Sequence, residues 1–430
     1  MQSLKQRGYD FLRSTEKYVK TDMVYLTRGG FSFVLIQVFA TVSALGTSIA
    51  FANLFPKDAY GAYKYILSIA GIIGTFSLTG LTTAVTQSVS KGFDGSLSEG
   101  FRINLKWSFG IVFISFGSAL YYWIQGNSTL SLSLIIIGMA TPFLSGYSLY
   151  GSYLNGKKKF EALSMLSLIR FGLPALTLIS VVFFSNSAVV IVGAYFISHT
   201  LATYVCYLIS KFLFVSNNTI DSNLEHYGKH LSFLGILNVI ADQLDKIIVF
   251  KYVGAVELAV YSFAIAIPNQ IWGVFKSVGQ LALPKFANRE IKEIQKEMYG
   301  KMFRLFLVLF VVTGLYIICA PFIFNVFFPQ YVDAIPYSQI FALTIPGLIS
   351  GLPTTALHAK KAVKSLYYNN MIFAIIKILL LLSSVYFWGV WGVVIARVLY
   401  EYIGVIISLF SFSYLVRTSP HIPSSSEPQS

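Results

Sequence analysis

Apolar residues run through this chain in twelve long blocks separated by short polar stretches. The blocks fall near 30–53, 63–88, 105–124, 131–154, 162–184, 188–213, 231–254, 259–284, 302–324, 333–357, 367–388 and 391–416. Each holds about 20–27 residues, enough to cross a ~30 Å hydrocarbon core as an α-helix. The apolar runs are continuous and do not alternate with a period of two, which argues against a β-barrel. The expected fold is an all-α integral membrane protein with twelve transmembrane helices.

The twelve blocks form two sets of six. Each block of the second set starts about 200 residues after its counterpart in the first. The junctions after the first block of each set also look alike. One places Asp58, Gly61 and Tyr63 ahead of its second helix, the other Glu257, Ala259 and Tyr261. Six crossings bring the chain back to its starting side, so the halves share one orientation and form a parallel pseudo-two-fold repeat. The expected organisation is residues 1–29 as a cytoplasmic segment, 30–213 and 231–416 as six-helix bundles, 214–230 as the linker and 417–430 as a disordered tail. Within 1–29, Leu4, Phe11, Leu12, Tyr18 and Val19 recur among basic residues, the pattern of an interfacial amphipathic helix over 3–20.

Composition agrees with a membrane protein: 55% of residues are hydrophobic and 12% charged, about half the charge of a soluble domain. The net charge of +14 does not point to nucleic acid, because of where it lies. Of the 32 basic residues, 24 fall in residues 1–29 or in loops after even-numbered blocks. The positive-inside rule then places both termini in the cytoplasm. Cys206 and Cys319 fall within apolar blocks and read as small core residues. No zinc cluster, phosphate-binding loop or nucleophile–base arrangement appears, so neither an enzyme nor a cofactor is expected.

The chemistry sits in charges inside the apolar blocks. Arg170, Lys246, Lys276, Lys377 and Arg397 each interrupt a predicted span. A charge at mid-bilayer costs at least ~2.5–3.5 kcal/mol, so such residues face a protein interior or a wet cavity. The seventh span carries Asn238, Asp242, Asp245 and Lys246 on one helical face. Asn269, Lys276 and Gln280 share a face of the eighth, and Asn370, Lys377 and Ser384 a face of the eleventh. Asp242 and Lys246, and likewise Arg397 and Glu401, stand four residues apart, the spacing of a helical ion pair. Arg170, Lys276 and Lys377 have no acid within one turn. The five cations sample several depths, which suggests a path along which an anion passes. Asp242, Asp245 and Glu401 are the candidates for ion coupling.

The stretch from Asn238 to Pro284, with Asp245-Lys246-Ile247-Ile248, Gly254, Glu257, Tyr261-Ser262, Pro268 and Leu283-Pro284, resembles Wzx-type O-antigen and polysaccharide flippases of the MOP superfamily. That resemblance implies a MATE-like pair of bundles around a central cationic cavity in a bacterial inner membrane. It implies movement of an undecaprenyl-pyrophosphate-linked oligosaccharide between leaflets, with H+ or Na+ as coupling ion. It also implies membrane lipids, and a polymerase and chain-length regulator of the same pathway, as partners. The residues agree with such cargo: Arg and Lys bind pyrophosphate through charge-assisted hydrogen bonds, and Asn and Gln suit sugar hydroxyls. A MATE-like cation antiporter is the main alternative, but it needs surplus acid in its cavity. A polysaccharide polymerase or ligase needs a long outer loop, and every predicted outer loop has about ten residues or fewer.

Overall fold

The computed structural model describes residues 23–279, 286, 291–360 and 362–418. The predicted amphipathic segment before residue 23, the tail from residue 419 and Gln280 lie outside them. Among the described residues every regular element is helical. In chain order these are α1 (Met23–Leu54), α2 (Lys57–Ile73), α3 (Leu81–Ser90), α4 (Ser96–Trp107), α5 (Phe109–Ile124), α6 (Ser128–Tyr147), α7 (Leu149–Gly156) and α8 (Phe160–Val182). There follow α9 (Ala188–Phe214), α10 (Leu224–Tyr252), α11 (Ala255–Gly279), α12 (Ile291–Phe327), α13 (Ile335–Phe341), α14 (Gly351–Ala359) and α15 (Val363–Thr418).

Among the described residues nine helices are long and apolar enough to cross a membrane, and the bent pair Lys57–Ser77 and Leu81–Ser90 makes ten. The difference from twelve has two physical sources. Helix α10 is 29 residues long but carries too many charges to count as apolar. Helix α15 runs for 56 residues but is a hairpin, broken at Gly389 with φ 55 and ψ −131. That backbone conformation strains any side chain. Beyond the break the chain doubles back: a Cβ on Gly392 would sit 2.0 Å from the Ser384 carbonyl oxygen. Ser411 Oγ then donates to Asn369 Oδ1 at 2.6 Å, tying the two ends of the hairpin together.

Two other spans are irregular. The second bends by 48° through a 3-10 turn at Gly74–Ser77, followed by Leu78 with φ 55. The tenth passes through the 3-10 segment Ala342–Ser350, which contains Pro346. Proline cannot donate to the helical ladder, and the looser winding absorbs the break.

The first and second halves meet along two antiparallel seams. In one, α2 and α3 run against α10 and the start of α11. A Cβ on Gly61 would lie 1.8 Å from the Ala255 carbonyl oxygen, and one on Gly71 would lie 3.1 Å from the Gln243 side chain. Between them Tyr65 stacks on Phe250 at 3.9 Å. Further along, Gly80 N donates to Ser232 Oγ at 2.9 Å. In the other seam Thr41 of α1 donates to Gln270 of α11 at 3.1 Å, and Gly273 packs against Gln37. Small residues let helix backbones approach closely inside a bilayer, where packing supplies what the hydrophobic effect does not. The two look-alike junctions noted in the sequence are part of the first seam: Tyr60 stacks on Phe263 at 4.7 Å beside Gly61 and Ala255. An aromatic cluster of Phe51, Phe55, Tyr60, Tyr63, Phe263, Phe324, Phe328 and Tyr331 fills this end.

At the opposite end, residues 215–223 are strapped to the first half. Buried Asp94 accepts from Lys157 Nζ at 2.6 Å and from Ser216 Oγ at 2.6 Å and N at 3.0 Å. Gly95 N donates to the Thr219 carbonyl at 2.9 Å, and Ser88 Oγ to Asp221 at 2.8 Å. Burial opposes the charge on Asp94, but these donors outweigh it and hold its carboxyl below the ordinary range. Donation from Lys229 and then Trp107 takes Glu225, in the first turn of α10, down to about 2.

Candidate functional site

Helices α10, α11 and α15 and the irregular tenth span enclose a cavity of about 440 Å³. Its walls carry Lys246, Lys377 and Arg397, together with Asp242, Asp245 and Glu401. Asn269, Gln243, Trp272, Thr344 and Tyr400 complete its polar and aromatic lining. The helical face seen in the sequence at Asp242, Asp245 and Lys246 lines this cavity. Ordinary α-helical geometry aligns it, and the 3-10 stretch at Ala342–Ser350 brings Thr344 to the same space.

The charge pairing differs from the sequence expectation. Asp242 does not pair with Lys246. It bonds Lys377 across the interface of α10 and α15 at 2.5 Å, with the Lys377 side chain 3% exposed and the Asp242 side chain 67% exposed. Lys377, which has no acid within one turn of its own helix, is thus the most tightly paired cation of the site. Lys246 Nζ instead donates to the Gln243 amide oxygen at 3.2 Å. Arg397 stands 3.8 Å from Asp245, which places the acid of another helix beside it in addition to Glu401 on its own. Buried Asp245 accepts from the Tyr261 hydroxyl and from the Lys246 backbone N–H, both at 2.8 Å. Helical spacing shows which acids a cation can reach along its own helix; tertiary packing offered closer ones from neighbouring helices.

The expected path at several depths is also corrected. Lys246, Lys377 and Arg397 converge on one cavity, because α10 and the two arms of α15 pack side by side. Arg170 is elsewhere: it lines a separate cavity of about 290 Å³ in the first half, with Tyr150, Asn155 and Ser167. Asn370 and Asn238 line a third, of about 380 Å³, with His358 and Tyr367. Asn269 does join the charged site, whereas Lys276 lies two turns along α11 with its side chain outside the described residues. Among the described residues three cations meet three carboxylates in the cavity. Among the described residues no group of three or more His, Cys, Asp or Glu is arranged to hold a metal.

Sequence reasoning passed over Gln243, Trp272, Tyr400 and Lys64. Gln243 is uncharged and offset from the stripe. Trp272 and Tyr400 look like ordinary lipid-facing aromatics. Lys64 falls in the first turn of the predicted second span, where a lysine reads as snorkelling to the interface. In the structure Lys64 is half-buried and its ammonium lies 5.1 Å over the Tyr60 ring and 5.7 Å over the Tyr63 ring.

The fold matches known transporters over most of its length. An inward-facing multidrug resistance MATE family transporter of the MOP superfamily superposes with a TM-score of 0.66 and 13% identity, over 90% of this chain and 100% of that one. The lipid II flippase MurJ, in an inward closed conformation, gives 0.68 and 17%, over 90% and 88%. A MOP superfamily transporter from Pyrococcus furiosus, described as having a binding pocket of reversed polarity, gives 0.59 and 14%, over 92% and 96%. At these identities the likeness establishes the fold. No curated protein sequence shows significant similarity. The profile of the family described as polysaccharide biosynthesis protein matches residues 26–288, which covers the first half, the seam and α10 and α11 with their site residues. A match over more than half of the chain makes this protein a member of the polysaccharide biosynthesis protein family, built on the MATE-like fold of MOP superfamily transporters.

Proposed function

We propose that this protein moves an undecaprenyl-pyrophosphate-linked oligosaccharide from the inner to the outer leaflet of a bacterial inner membrane by alternating access, with both termini cytoplasmic. The observation that carries this is the convergence of Lys246, Lys377 and Arg397 on one cavity inside a membrane-spanning member of a polysaccharide biosynthesis family. Lys377 and Arg397 arrive already paired with acids. A pyrophosphate therefore binds by exchange: its oxygens replace Asp242 on Lys377 and Asp245 on Arg397, charged contact for charged contact. Exchange is cheaper than desolvating a bare anion against an apolar wall.

Exchange also supplies a route to coupling. When cargo takes the cations, Asp242 and Asp245 are left without theirs, and each then binds H+ or Na+. Release of cargo restores the pairs and expels the ion. Asn269, Asn370, Lys276 and Gln280 remain candidates for further contacts along the oligosaccharide. The polymerase and chain-length regulator of the pathway would receive the exported unit.

The balance of three acids against three bases favours one second reading, a MATE-like cation antiporter that binds its cargo on Asp242, Asp245 and Glu401. Deleting the gene separates the two. A flippase deletion accumulates lipid-linked oligosaccharide on the cytoplasmic face; an antiporter deletion leaves that lipid unchanged and sensitises cells to cationic drugs. Complementation with Lys377→Ala or Lys276→Ala restores no surface polysaccharide at wild-type membrane level. Full surface polysaccharide with both variants overturns the anionic-cargo mechanism.

A further inference from the structure

Among the described residues, every cation lining the charged cavity except Lys246 stands within 4 Å of a carboxylate on another helix. Lys246 is held by the neutral Gln243 amide. Just outside the cavity, across the seam, Lys64 of α2 is also without a carboxylate within 4 Å among the described residues, and its ammonium rests over the rings of Tyr60 and Tyr63. The register sets the two lysines about one helical turn apart along the seam. Tyr65 meets Phe250 and Gly71 meets Gln243, so Lys64 and Lys246 stand on neighbouring turns of one antiparallel helix pair. They are close enough for their charges to oppose each other.

Aromatic faces hold an ammonium in place without neutralising it. A carboxylate at Tyr60 or Tyr63 would fill that role permanently. The arrangement therefore keeps two positive charges available, one on each half, on either side of a seam closed at Gly61 and at Gly80. We infer that Lys64 and Lys246 form a split anion clamp: a phosphate or pyrophosphate group bridges them as the halves close, and their repulsion loosens the seam when it is empty. This rests on the anionic cargo proposed above. It assigns to the first half a residue that senses loading, and it couples cargo charge to closure of the seam.

The test uses the purified full-length protein in detergent, with inorganic pyrophosphate as the probe, read by thermal shift and calorimetry. Lys64→Gln is expected to weaken pyrophosphate binding about tenfold, as loss of one charge-assisted contact does, while Lys64→Arg retains it. Lys64→Glu is expected to pair with Lys246, raising thermal stability while abolishing the pyrophosphate response and export in cells. Equal pyrophosphate affinity in Lys64→Gln and wild type overturns the clamp, and so does a folded Lys64→Glu protein that exports normally. If Lys64→Glu does not fold, the Lys64→Gln affinity decides. Should wild type itself ignore pyrophosphate, both the clamp and the anionic-cargo reading fall. Binding lost in Lys377→Met but kept in Lys64→Gln removes the clamp alone.

Discussion

Gly61 lies where the two halves approach most closely. An added Cβ would sit 1.8 Å from the Ala255 carbonyl oxygen, and real Cβ contacts stay beyond 3.0 Å. Gly61→Ala therefore has to drive α2 and α11 apart by about 1.2 Å at this end. The backbone oxygen cannot rotate away, as a side chain would. Overpacking of this size costs about 1–3 kcal/mol. The cost applies only to the state in which the seam is closed, so it appears as a shift of about 5–150-fold toward the state open on that face. Under the proposed orientation this is the external face. A reporter cysteine at Thr344, on the cavity wall, reads it out after Cys206 and Cys319 are replaced by serine. Labelling from outside by a membrane-impermeant maleimide should speed up by that factor in Gly61→Ala, and export should slow. Gly80→Ala, whose Cβ would meet the Gly228 carbonyl at 2.5 Å at the other end of the seam, should not increase external labelling. Wild-type labelling in an inserted Gly61→Ala protein would show that this contact does not gate the external face.

Two further predictions concern charge. Asp242→Asn leaves the Lys377 ammonium buried without its carboxylate; breaking a buried pair costs up to about 3–5 kcal/mol, with the lower part expected because Asp242 itself is 67% exposed. The double variant Asp242→Asn with Lys377→Met should recover most of the lost thermal stability but no export; an Asp242→Asn protein as stable as wild type would refute the pairing. For the strap at residues 215–223, Asp94 and Glu225 both have lowered carboxyl pKa values, Glu225 to about 2. A depressed folded-state pKa contributes stability above the unfolded value of ~4, and that contribution is lost as pH falls toward the folded value. Melting temperature should hold near neutrality and fall from about pH 4 downward, and replacing both acids by their amides should flatten that slope; an unchanged slope would place the acid lability elsewhere.

Much of this protein was legible along the chain because a bilayer is a severe solvent. Backbone groups must be satisfied within each helix and apolar side chains must outnumber charged ones in every crossing, so the helical membrane class and the intruding charges are one-dimensional signals. The face of α10 with Asp242, Asp245 and Lys246 was readable for the same reason, since residues four apart share a side. Which charge meets which was not readable. Lys377 found Asp242 and Arg397 found Asp245 across helix–helix interfaces, at sequence separations no helical period encodes. The grouping of three cations into one cavity, with Arg170 in another, depends on how α10, α11 and the hairpin of α15 pack. That hairpin turns on one glycine, and the seams turn on glycines whose missing side chains carry no chemical signature until a neighbouring backbone fills the space. Composition and period thus determined that the chain spans a membrane with charge inside it; packing alone decided that Lys377 and Arg397 arrive paired, and that Lys64 and Lys246 stand about one turn apart on one seam with no carboxylate within 4 Å of either among the described residues.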